Sequence, residues 1–166
     1  MSTTALVSIE DYLHLTEKPT SEYREGVLYP KAMPTKLHGV IEFELARLLR
    51  SLGLDAVAEV TVRLSPTKYL VPDVIAASVI ESPYPTEAVL LCCEVLSPED
   101  RLGATLAKCE EYHAWGVPFC WVIDPIKRSA WEYHSAGEPE RASTALRAGE
   151  VAVNLAELFF RLDAVR

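Results

Sequence analysis

Asp73 and Glu94 are carboxylates set inside apolar, strand-like runs. The first run is Leu70-Val71-Pro72-Asp73-Val74-Ile75-Ala76-Ala77, and the second is Ala88-Val89-Leu90-Leu91-Cys92-Cys93-Glu94-Val95-Leu96. An ionised carboxylate in such a setting costs several kcal/mol unless something pairs with it. Two of them on successive predicted strands, followed by Lys108 on the next predicted helix, point to a shared cation. Magnesium is a hard cation that takes oxygen ligands and keeps several waters, so two carboxylates leave room for a phosphate and a water. A bound ion of this kind lowers the pKa of its water and offsets charge growing on phosphorus. A nearby lysine adds a fixed positive charge. The chemistry these residue types suit is phosphodiester hydrolysis.

The elements that must position them are legible from periodicity. Ser8 is placed to cap a short helix, Ile9 to Leu15, with Asp11 in capping-box position, and Pro19 and Thr20 end it. Residues 22–29 read as two short strands around Glu25-Gly26. From Leu37 to Leu52 apolar residues recur every three or four positions, which predicts an amphipathic helix stopped by Gly53. Ala56 to Leu64 alternates as a half-exposed strand. Pro72 within the Asp73 strand implies an edge, a bulge or a bend, because proline cannot donate to a ladder. Residues 88–96 are apolar on both parities, as in a strand covered on both faces. Ser97-Pro98-Glu99-Asp100 opens a helix ending at Gly116, and strands follow over Val117 to Asp124 and Ser129 to His134. A possible strand at 150–153 and a short helix from Asn154 to Phe160 close the chain. The strand-helix-strand unit at 88–124 implies one right-handed parallel crossover in a mixed sheet. The expected class is α/β, or α+β by strict definition, in one domain over 1–166 with its core at about 37–134.

Bulk properties narrow the function. The 166 residues are 49 % hydrophobic, enough for a core without staples. No apolar run is long enough for a membrane span, and Met1 to Asp11 lacks the pattern of a signal peptide, so a cytoplasmic location without a membrane partner is expected. The four cysteines, at 92, 93, 109 and 120, have no C-x-x-C spacing and read as reduced, buried thiols. Cys109 and His113 share a helix face, but no second pair completes a zinc site, so packing is the expected role. The net charge of −8 argues against tight, nonspecific duplex binding, since phosphate contacts dominate such affinity. Glu110-Glu111 reads as a solvated helix face, Asp124 as a turn residue, and Tyr112, Trp115, Trp121 and Trp131 as packing. Phosphate-loop, G-x-S-x-G and H-E-x-x-H motifs are absent.

With an acid on the second and third core strands, the chain resembles the PD-(D/E)XK nuclease superfamily. More closely it is similar to a bacterial family of restriction-endonuclease-like proteins of unknown function. The matching stretches are His38-Gly39, Val71-Pro72-Asp73-Val74, Glu94-Val95-Leu96-Ser97-Pro98-Glu99-Asp100-Arg101, Lys108 with Glu111-Tyr112, Gly116-Val117 and Trp121-Val122-Ile123-Asp124-Pro125. The resemblance implies a restriction-endonuclease-like mixed β-sheet flanked by helices. It also implies a nuclease with Asp73 and Glu94 as ligands of Mg²⁺ or Mn²⁺. The superfamily places lysine two residues beyond the second acid, where this chain has Leu96. The closer family carries it on the following helix, at Lys108, as the third catalytic residue. Glu22 resembles an accessory acid ahead of the core. His38 reads either as a phosphate contact or outer group of the site, or as a capping or surface histidine. The implied partner is a nucleic acid, DNA ahead of RNA, with a homodimer as a candidate assembly. The alternative is a catalytically inactive nuclease fold retained as a binding module.

Overall fold

The computed structural model describes residues 6–17, 20–134 and 137–164. Residues 1–5 and the expected helix stop at Pro19 lie outside them. Helix α1, Ile9–Leu13, is capped by Ser8, whose hydroxyl accepts the Asp11 N–H, and it stops two residues short of the expected Leu15. Strands β1 (Ser21–Arg24) and β2 (Val27–Pro30) form a hairpin. Its turn residues Glu25 and Gly26 both take positive φ, +50° and +87°, as a twisted two-residue hairpin turn requires. Helix α2, Lys36–Ser51, is capped by Thr35 through the His38 N–H and buries Ile41, Leu45, Leu48 and Leu49.

Two expected strands are each broken in the folded chain. The run from Ala56 to Leu64 becomes β3 (Asp55–Ala58) and β4 (Val62–Ser65), separated at Glu59 with φ +56°. The run containing Asp73 becomes β5 (Lys68–Leu70) and β6 (Val74–Ala77). Both breaks carry the chain from one sheet to another. β4 and β5 belong to a four-stranded sheet ordered β2-β1-β5-β4.

The remaining elements are β7 (Leu91–Val95), α3 (Leu102–Trp115), β8 (Phe119–Asp124), β9 (Ser129–Tyr133), β10 (Glu140–Arg141), β11 (Ala145–Ala148), β12 (Val151–Asn154) and α4 (Leu155–Asp163). The main sheet is ordered β10-β9-β8-β7-β6-β3. β7 and β8 pair in parallel across α3, as the crossover reading requires, while the other neighbours are antiparallel. The fold is therefore α/β, with a mixed sheet flanked by helices. β10 and β11 add strands beyond those expected, because two to four residues with little apolar alternation leave no periodic signal. Among the described residues no helix is long and apolar enough to cross a membrane.

Side-chain alternation divides the core. Val74, Ala76, Leu91, Cys93, Val95, Trp121 and Ile123 face α2, α4 and the β11–β12 hairpin. Ile75, Cys92, Leu96, Cys120 and Val122 face α3, through Cys109 and Tyr112. Both faces of β7 are buried, which explains its unbroken apolar run. Helix α3 ends on Gly116 in the left-handed region, φ +117°, with Ala88 Cβ only 3.2 Å from where a Cβ would stand. Gly116→Ala is expected to cost about 1–2 kcal/mol, read as a lower urea midpoint at unchanged m-value.

Candidate active site

Asp73 is 2 % exposed and sits at the break between β5 and β6. Three contacts pin that break. The Val71 N–H donates to Glu22 Oε1 at 3.0 Å, and the Glu59 N–H donates to the Asp73 carbonyl at 3.1 Å. The Val95 N–H, at the end of β7, donates to Asp73 Oδ2 at 2.6 Å. Pro72 has no N–H of its own, so it crosses the gap without leaving an orphaned donor. The bend implied by proline is thus a change of sheet. Val74 pairs with Cys93, so the register continued by one residue puts Asp73 across from Glu94.

The other oxygen of Asp73 faces cations. Lys31 Nζ lies 2.6 Å from Oδ1, and His38 Nε2 lies 3.5 Å from it. Burial pulls this carboxyl upward, but His38 and Lys31 outweigh it and hold Asp73 well below the usual carboxylate range. Burial disfavours a charged imidazole at His38, yet the carboxylates of Asp73 and Glu42 more than offset it, raising His38 to about 10. His38 is buried, with Nδ1 3.2 Å from Ser97 Oγ. Neither a surface role nor a side-chain cap describes it; Thr35 provides the cap.

Glu94 lies in the interior of the α3 side. Lys108 Nζ is 3.0 Å from each of its oxygens and 2.6 Å from Glu22 Oε1. The Tyr112 hydroxyl donates to Glu94 Oε1 at 2.6 Å. Burial is the dominant influence on Glu94 and raises it to about 7, despite the opposing charge of Lys108. Helix α3 starts at Leu102, so Lys108 stands on its second turn and Tyr112 one turn further, both aimed at the same carboxylate. Leu96 meanwhile packs into the α3-side core. The amine at this carboxylate therefore comes from the helix. Tyr112→Phe is expected to lower stability by about 1–2 kcal/mol, because it leaves a buried carboxylate short of one donor. Thermal and urea melts check this, and an unchanged midpoint would contradict it.

The sequence-predicted residues Asp73, Glu94, Lys108, Glu22 and His38 therefore converge on one cleft of about 320 Å³. Further residues of the cleft were given no role by the sequence. Lys31 lies in the loop after β2 with nothing local to mark it. Glu59, on a half-exposed run in the sequence, is exposed at the break between β3 and β4, and its Oε1 is 2.7 Å from Lys31 Nζ. Glu111, expected on a solvated face, binds Arg24 at 2.8 Å and Lys68 at 2.9 Å, and Arg24 continues to Glu22 at 3.1 Å. For Glu111 the sequence offered one signal, its place with Lys108 and Tyr112 in the stretches that carry the family resemblance.

Metal-type ligands gather on the α2 side of Asp73. One ligand atom each from His38, Glu42, Glu59 and Asp73 lies within 4.8 Å of the others. Glu42 Oε1 is buried and takes no hydrogen bond, with His38 Nε2 3.4 Å away. The Cys109–His113 pair, in contrast, is packing. Both His113 ring nitrogens meet backbone carbonyls, of Val117 at 2.8 Å and Tyr133 at 2.9 Å. Asp124 holds its turn by accepting the Ile126 and Lys127 N–H groups.

Comparison with solved structures finds the same fold in a "putative nuclease belonging to DUF820" from Anabaena variabilis. It aligns at a TM-score of 0.78 with 23% sequence identity, over 94% of this chain and 99% of that one. Comparison with curated proteins finds no match. A family model described as "Putative restriction endonuclease" matches residues 9–163. The chain belongs to that family, Uma2, which is restriction-endonuclease-like.

Proposed function

We propose that the protein is a divalent-metal-dependent nuclease that hydrolyses phosphodiester bonds in nucleic acid, DNA ahead of RNA. The observation carrying this reading is the juxtaposition of two buried carboxylates, Asp73 and Glu94, from neighbouring strands, at a cleft that also presents Lys108, Lys31 and Arg24.

The residues fit a hard cation. Asp73 and Glu94 offer oxygen donors, the ligand type that Mg²⁺ and Mn²⁺ take. Glu42 Oε1, buried without a hydrogen bond and 3.4 Å from His38 Nε2, is a further oxygen donor on this flank. Asp73 and Glu94 would hold Mg²⁺ or Mn²⁺, which when bound supplies an acidified water and charge neutralisation at phosphorus. Lys108, held between Glu22 and Glu94, presents its ammonium to a phosphate oxygen as charge develops. Glu22 positions that ammonium and pins the Asp73 bend through the Val71 amide. Arg24, fixed by Glu22 and Glu111, and Arg101, exposed at the rim, supply backbone-phosphate contacts along the cleft. Local cations of this sort let an acidic protein engage a polyanion at one face.

The test is cleavage of plasmid, single-stranded DNA and RNA with Mn²⁺ or Mg²⁺ and with EDTA. Metal-dependent cleavage, selective for one polymer, is the expected result. Silence on every substrate, together with no metal binding, would move the assignment to a non-enzymatic module.

A further inference from the structure

We propose that the ammonium of Lys31 is a built-in occupant of the cation position at Asp73, and that its displacement sets how tightly the site takes a metal. The inference rests on the metal-dependent reading above and extends it to a residue outside the family-derived set.

Asp73 Oδ2 accepts the Val95 N–H, and Oδ1 is the oxygen turned to the cations of the cleft, where Lys31 Nζ already sits at 2.6 Å. A magnesium ion requires about 2.0–2.1 Å to each oxygen, and a divalent ion and an ammonium repel strongly at such separations in a buried site. The two cannot share Oδ1 in its present geometry.

The surroundings describe how the exchange proceeds. Lys31 Nζ also holds Glu59 Oε1 at 2.7 Å, so on leaving Asp73 it keeps a carboxylate partner. The Glu59 backbone is anchored beside the site, since its N–H bonds the Asp73 carbonyl at 3.1 Å. The Lys31 backbone is anchored as well, through its N–H to the Thr20 carbonyl at 2.9 Å, while its side chain is 14 % exposed at the cleft. A side-chain swing therefore suffices, with no strand pairing broken. His38, Glu42, Glu59 and Asp73 each bring one ligand atom within 4.8 Å of the others, and two of the four, Asp73 and Glu59, already hold the Lys31 ammonium.

Isothermal titration with Mn²⁺ of wild type and Lys31→Met, in the full chain, tests the inference. The expected result is a Kd lower by about tenfold or more in Lys31→Met, with a larger Mn²⁺-induced rise in melting temperature than wild type shows. If wild type binds Mn²⁺ and folded Lys31→Met binds it equally or more weakly, the inference falls and the metal-site reading stands. If neither protein binds Mn²⁺, both fall. Should Lys31→Met not fold, Lys31→Gln keeps a neutral polar side chain able to donate to Glu59 and leaves the His38, Glu42, Glu59 and Asp73 donors whole. It carries the same expected tightening and the same overturning result.

Discussion

Asp73→Asn is expected to reduce metal-dependent cleavage by about three orders of magnitude or more while the chain stays folded. The amide oxygen can still accept the Val95 N–H, so the bend between β5 and β6 keeps that tie. What disappears is the negative charge on the oxygen facing Lys31 and His38. Each cation retains a second carboxylate, Glu59 and Glu42 respectively, so the stability loss is about 1–3 kcal/mol rather than that of a stranded buried charge. The pH dependence has a definite sign. Asp73 is held below its unfolded value of about 3.9, so its stabilisation is present above that pH and is lost as pH falls through the folded value. Urea melts of wild type and variant should therefore differ at neutral pH and converge in acid. Undiminished cleavage by a purified, folded variant would remove Asp73 from the site.

Lys108→Met is expected to cost both activity and stability. Cleavage should fall by about two to three orders of magnitude, from loss of a fixed charge at the reacting phosphate. Glu22 and Glu94, both buried, lose the ammonium they share, and at neutral pH this costs about 3–5 kcal/mol. Glu94 already stands raised to about 7 with Lys108 present, so without it the carboxyl takes a proton more readily. A carboxyl raised in the folded state contributes stability that is complete below its unfolded value and is lost as pH rises through the folded one. The metal-free variant should thus be least stable in alkali and approach wild type near pH 4, about the value of an unperturbed glutamate. Full cleavage at a pH where the variant is folded would confine Lys108 to a structural role.

Much of this was legible because it follows from local pattern. The three- and four-residue spacing from Leu37 to Leu52 needs no tertiary information to define α2 and its buried face. The apolar run ending at Glu94 could only be a strand covered on both sides. The positions of Asp73, Glu94 and Lys108, ordered as in a known family, pointed to one cleft, and the chain indeed brings them together. Residues whose roles depend on distant partners were different. Lys31 looks like any loop lysine, Glu59 like an exposed strand residue, and Glu111 like half of a solvated acidic pair. Their partners lie 28 to 87 positions away in sequence.

The helices and the parallel crossover follow from the spacing of apolar residues along the chain, and the same apolar runs mark Asp73 and Glu94 as acids that must find cations. Which cations they find depends on how distant segments pack. Glu59 and Pro72 break their strands and send the chain from one sheet to the other, and that change of direction sets Asp73 between Lys31, His38 and the end of β7. Ion pairing in a buried cleft depends on separations of a few ångström between chain-distant groups, which no local spacing encodes.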